Sequence, residues 1–139
     1  MSLESQFLSR IQSAIPDLKA AYLYGSRASG KARLDSDYDI AVLAAAPLEG
    51  KESFFRLQLE LAGLTDSGVN LVDLRSLPIV LQFEVLRGRK RLFCADRAFC
   101  VHFEAGILSD YQRFAEERQI ILDTFFKKRA DAARQQISG

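Results

Sequence analysis

The segment that most restricts the fold of this chain lies between residues 20 and 44. A short apolar run, AAYLYG, closes on Gly25 and Ser26; ten residues later stands Asp37, and Asp39 follows at the opening of a second apolar run, YDIAVLA. Runs of this length, punctuated by glycine and rich in aromatic and branched residues, read as buried strands. Between them, GSRASGKARLDSD is small and polar, as a turn with a short helix and loop requires. Residues i and i+2 of a strand share a face, with Cα atoms roughly 6.5–7 Å apart. Asp37 and Asp39 therefore stand side by side, an arrangement costly for bare anions but suited to Mg²⁺ shared with phosphate oxygens.

The groups before them fit the same task. Gly25 lets backbone N–H groups approach an anion closely, Ser26 adds a hydroxyl, and the helical turn that follows aims its positive end at the same place. Arg27, Lys31 and Arg33 bring positive charge nearby. Local charge is needed because the formal net charge is only +1, which gives no global attraction for nucleic acid or an anionic membrane.

Helical spacing of Phe7, Leu8, Ile11 and Ile15 predicts a first helix ending near Pro16. Phe54, Leu57, Leu61 and Leu64 mark another between Lys51 and Leu64. GVNLVDL (residues 68–74) is a third strand, LPIVLQFEVLRG a short buried helix stopped by Gly88, and KRLFCA a fourth strand. The remainder is helical, with Ser109 and Gln112 as a capping box that starts or restarts the final helix. At 139 residues, without repeats or a long linker, the chain reads as one α/β domain spanning residues 1–139. There is no apolar stretch long enough for a membrane span and no secretory h-region. Cys94 and Cys100 lie in apolar surroundings and are expected as reduced thiols of a cytoplasmic protein.

YGSRASGKARLDSDYDIAVL resembles the signature of the nucleotidyltransferase superfamily that includes DNA polymerase β and kanamycin nucleotidyltransferase. Through VNLVDLRS and YQRFAEERQIILD the likeness extends, more loosely, to its minimal branch, the MNT-domain antitoxins that pair with HEPN-domain toxins. The resemblance implies the nucleotidyltransferase α/β fold, a small mixed sheet flanked by helices with a long C-terminal helix. It implies ATP as substrate, bound by Gly25, Ser26, Arg27, Lys31 and Ser36, and Mg²⁺ on Asp37 and Asp39. AMP would pass to a tyrosine of the partner toxin, a ribonuclease, and neutralise it.

One position departs from that pattern. Where relatives carry a third acid on the next strand, this chain has Asn70, which offers a carbonyl oxygen but neither negative charge nor a base at neutral pH. Asp73 falls on the opposite face by alternation and reads as a strand-end or turn residue. Asn70 is either natural, with reduced or altered catalysis, or an amide introduced to trap a complex. Two other functions stay open: an antitoxin that only binds its toxin, and a transferase acting on a small hydroxyl compound. Elsewhere, Arg87, Arg89, Lys90 and Arg91 read as a solvated turn, and His102 as a partly buried structural residue. In the last helix Tyr111, Phe114, Ile121 and Phe125 suit one buried stripe, which Ile120, Leu122 and Phe126 widen. That width makes the helix a candidate surface for a partner or a second copy.

Overall fold

A computed structural model describes residues 1–138. Helix α1 spans Leu3–Ala14; the Ser2 hydroxyl accepts the Ser5 N–H at its start, Glu4 sits in the first turn, and Pro16 follows its end. Strand β1 (Leu18–Tyr24), the one-turn helix α2 (Ser26–Ser29) and β2 (Tyr38–Ala44) come next. Then follow α3 (Glu52–Ala62), β3 (Val69–Asp73), a 3-10 turn at Leu74–Ser76, α4 (Ile79–Arg87), β4 (Lys90–Cys94) and α5 (Arg97–Ser138).

The strands form one mixed sheet in the order β3-β2-β1-β4, with β1 antiparallel to both neighbours and β2 parallel to β3. The parallel step needs a crossover, which α3 supplies. On one face α1 and α3 bury Phe7, Ile11, Leu57 and Leu61 against Leu23, Ile40, Val42 and Leu71. On the other, Val85 and Leu86 of α4 with Cys100 and Ile107 of α5 cover Ala20, Tyr22, Ala41 and Leu43. Covered on both sides, β1 and β2 are apolar almost throughout, whereas the edge strand β3 alternates between buried Val69 and Leu71 and exposed Asn70. The open edge of β3 is capped by a side chain: Gln58 accepts the Leu71 N–H (2.7 Å) and donates to the Val69 carbonyl, satisfying backbone groups another strand would otherwise seek. Asp73 ends β3 buried, accepting from the Leu48 N–H (2.8 Å), the Arg75 N–H (3.2 Å) and the Ser76 hydroxyl (2.9 Å).

Four expectations are corrected. Helix α5 runs unbroken through Ser109, so the Ser109–Gln112 pair caps nothing; Asp96 caps the helix instead, accepting from the Ala98 and Phe99 N–H groups. The turn from β4 into α5 brings Cys94 and Cys100 to a Cα separation of 6.6 Å, and they are joined as a disulfide rather than held as two thiols. His102 lies on the solvent face of α5. The basic turn is not simply solvated: Arg89 (2.7 Å) and Arg91 (2.6 Å) both pair with Glu104, which is 5% exposed and also accepts the Tyr22 hydroxyl (3.1 Å).

That cluster ties β4 and β1 to α5. Burial, then the adjacent Glu104 charge, pushes the Tyr22 phenol up to about 12. Removing Glu104 leaves two guanidiniums and a phenol without their common acceptor. Glu104→Ala should cost about 2–4 kcal/mol in urea unfolding, less than a fully buried pair because both arginines are partly solvated. Because Tyr22 ionises less readily folded than unfolded, its contribution is intact below pH 10 and is lost as pH rises toward 12. Stability of the parent should fall over that alkaline window, and a Tyr22→Phe variant should show a shallower decline in a pH series of melts.

Candidate active site

The chemistry-bearing residues gather at one end of the sheet, where β1 finishes and β2 and β3 begin. Gly25 adopts φ 72° and ψ −155°, a conformation that L side chains rarely take. A Cβ there would also collide with Asp39 Oδ2. Helix α2 starts immediately after it; the Ala28 and Ser29 N–H groups bond back to the Gly25 carbonyl (both 3.1 Å). The earlier N–H groups of Ser26 and Arg27 have no acceptor a turn behind them within the helix, which is what makes a helix start receptive to an anion.

Asp39 occupies the middle of the arrangement. It pairs across the sheet with Tyr24 on one side and Asn70 on the other. The Asn70 side-chain amide donates to Asp39 Oδ1 at 3.0 Å, while Oδ2 faces Gly25. Tyr24 is raised above its ordinary value by burial and then by the Asp39 charge. Asp37, one residue before β2, is exposed and lies against Gly68: a Cβ built there would fall 2.5 Å from Asp37 Oδ1. Each carboxylate thus rests in a space that only glycine leaves open, Asp39 against Gly25 and Asp37 against Gly68.

The connecting loop is braced from within. Arg27 donates to the Ser36 carbonyl from Nε (3.1 Å) and Nη2 (2.8 Å), to the Leu34 carbonyl (3.2 Å) and to the Ser67 hydroxyl (3.4 Å). Its guanidinium also stacks 4.3 Å from the centre of the Tyr38 ring. The Ser36 hydroxyl accepts the Arg33 N–H at 2.8 Å. Arg27 and Ser36 are therefore engaged in holding the loop, and their polar groups point into it. Lys31 and Arg33 stand exposed beside them.

Gly25, Ser26, Asp37, Asp39 and Asn70 are thus brought to one edge. Gly68 and Tyr24 complete it without having been singled out from the sequence. Gly68 carried a faint signal as a glycine just before a strand; Tyr24 carried none, since it reads as one more apolar strand residue. Among the described residues no group of three or more histidine, cysteine or acidic side chains converges, so the two aspartates stand as a pair. Two carboxylates cradled by glycines, with no ion pair to either among the described residues, match the hard oxygen donors that Mg²⁺ takes. A separate hollow of about 500 Å³, lined by Phe54, Phe55, Gln58 and Leu71, opens beside α3 on the other face of β3.

One sheet end thus gathers a strand finishing in a glycine turn, the start of α2, Asp37 just before β2 and Asp39 within it. Residues 7–98 match the family described as polymerase beta, nucleotidyltransferase, and the chain belongs to that family. One relative, "Protein adenylyltransferase MntA" of Shewanella oneidensis (strain MR-1), is 38% identical over 123 residues, spanning 86% of this chain and 85% of its own. A solved toxin-antitoxin with AMP-PNP contains a chain with TM-score 0.79 and 36% identity, matched over 88% of this chain and 98% of its own. Another solved structure is a tri-AMPylated Shewanella oneidensis HEPN toxin in complex with an MNT antitoxin. Its matching chain has TM-score 0.74 and 35% identity, over 89% of this chain and 96% of its own.

Gly68 separates site from scaffold. Its backbone is not in the left-handed region, so alanine is acceptable to the main chain and only the Asp37 carboxylate must move. Gly68→Ala should change the unfolding free energy by no more than about 1 kcal/mol. It should weaken Mg²⁺-dependent ATP binding by about tenfold in titration calorimetry.

Proposed function

We propose that this protein is an adenylyltransferase antitoxin that moves AMP from ATP to a tyrosine hydroxyl of a HEPN-domain toxin and so neutralises it. The observation that carries the reading is Asp39 set against the Gly25 turn, with Asp37 two residues before it against Gly68, at one sheet end. It is supported by the relative named as a protein adenylyltransferase and by the matching chains of a toxin-antitoxin solved with AMP-PNP and of a complex with a tri-AMPylated HEPN toxin.

In this reading the N–H groups at the start of α2 and the Ser26 hydroxyl hold the triphosphate. Lys31, at the exposed rim of the loop, adds charge. Arg27 and Ser36 act indirectly, keeping the loop folded so that Asp37 stays against Gly68. Asp37 and Asp39 hold Mg²⁺, which when bound offsets charge on the triphosphate and polarises the phosphoryl oxygens. The acceptor oxygen attacks the α-phosphorus, the bond from that phosphorus to the α–β bridging oxygen breaks, and pyrophosphate leaves. The hydroxyl proton passes to solvent and not to position 70, because an amide does not accept it at neutral pH. Asn70 instead holds Asp39 by its 3.0 Å hydrogen bond.

A second reading follows from Asn70 itself: an antitoxin that binds its toxin with the chemistry weakened. The intact mass of the cognate HEPN-domain protein, after incubation with this chain, ATP and Mg²⁺, separates the two. Additions in AMP units that vanish with Asp37→Ala are the expected result. A stable complex with unchanged mass favours binding alone. Asn70→Asp should raise the transfer rate about tenfold or more, as restoring one acid–base group allows; no gain would mean that position 70 limits nothing.

A further inference from the structure

Helix α5 runs in the same sense as β1. The Cys100 sulfur lies 3.6 Å from the Lys19 carbonyl oxygen, and farther along both elements Glu104 meets Tyr22 at 3.1 Å. The last ring contact with the body of the protein is Tyr111, stacked face to face on Phe83 of α4 with centroids 3.8 Å apart. Since β1 ends at Tyr24, α5 then passes the end of the sheet that carries Gly25, Asp37, Asp39 and Asn70.

The stripe that covers the sheet does not stop there. Glu104, Ile107 and Tyr111 face inward at alternating steps of three and four residues. The same alternation continues through Phe114, Arg118, Ile121 and Phe125, over about 21 Å of helix beyond Tyr111. Ile121 is 68% and Phe125 56% exposed. Alternating steps of three and four keep a stripe turned toward a neighbouring helix, as in coiled coils. A second copy is a poor occupant. Arg118 lies at the midpoint of the seam from Tyr111 to Phe125, so seam-to-seam pairing, parallel or antiparallel, sets one guanidinium against another.

We propose that this overhanging seam is the docking surface for an α-helix of the acceptor protein, apolar along one stripe and carrying a carboxylate that meets Arg118. The inference rests on the adenylyltransferase reading for the identity of the acceptor, and adds how the acceptor is presented. Asp39 and Asn70 lie on the sheet face that α5 covers, the face of Tyr22 and Ala41, so a helix lying in the seam is on the side of the sheet that carries the catalytic end. Docking and delivery of the hydroxyl are then one event.

The test uses the full chain carrying Ile121→Glu with Phe125→Glu, both solvent-facing and so harmless to the fold, checked by an unchanged melting temperature. With the cognate HEPN-domain protein as probe, native mass spectrometry and calorimetry should show binding about 100-fold weaker. ATP–Mg²⁺ binding by the variant should match the parent. Transfer should fall at low acceptor concentration and recover at high concentration, a KM effect. Arg118→Glu should weaken the complex, and Arg118→Lys should restore part of it. Unchanged hetero-complex affinity overturns the proposal, as does loss of a homodimer with the hetero-complex intact. A parent chain that binds through the seam but transfers nothing keeps the docking proposal and defeats the transferase reading; a parent that transfers while the seam variants behave normally does the reverse.

Discussion

Covering β1 and β2 on both faces is the constraint from which the rest follows. A strand between two helical layers has no place for an unpaired charge along its length, so polar chemistry is confined to where strands begin and end. Tyr38 to Ala44 obeys this: Asp39 stands near its first residue, and everything from Ile40 onward is buried. Because β1 runs against β2 and β3 runs with it, one sheet end collects a strand finish and two strand starts. The Gly25 turn and both aspartates meet there through topology, not proximity in sequence.

Two carboxylates on one edge repel, and the surroundings do little to relieve them. The Arg27 guanidinium is turned into the loop, and the hydrogen bond to Asp39 from the facing strand comes from a neutral amide. The proposed binding of a cation with a polyanion would relieve that repulsion, and glycines on both sides keep side chains out of the space. A conventional acid at position 70 would add a third charge to that edge; an amide trades the charge for a fixed orientation of Asp39.

The second face of the sheet carries a different kind of constraint. Glu104 gathers Tyr22, Arg89 and Arg91 at one buried point, and the resulting clamp sets where α5 leaves the body. A helix anchored there and continued past the sheet holds its free stripe at a defined place relative to the catalytic end. Scaffold electrostatics and the proposed partner recognition are joined through one element.

Much of this was written in residue order. The apolar runs at 20–24 and 38–44 read as interior strands, because continuous burial demands continuous apolarity. Gly25 and the Asp37–Asp39 pair were legible because a left-handed turn and two same-face acids each need particular residues at particular spacing. Helix α3 was placed to within two residues at each end by apolar spacing of 3.6, and β3 to within one residue at each end as a short strand-like run. What sequence could not carry was contact between distant residues. That Gly68 makes room for Asp37, that Arg27 closes the loop rather than reaching outward, and that Arg89 and Arg91 share a buried acid thirteen or more residues away depend on how the layers pack. The Cys94–Cys100 pairing and the unbroken run of α5 through Ser109 were likewise decided in three dimensions. Local pattern chooses the element, because backbone periodicity is a near-neighbour property; only folding, which brings far residues within bonding distance, chooses what each side chain is for.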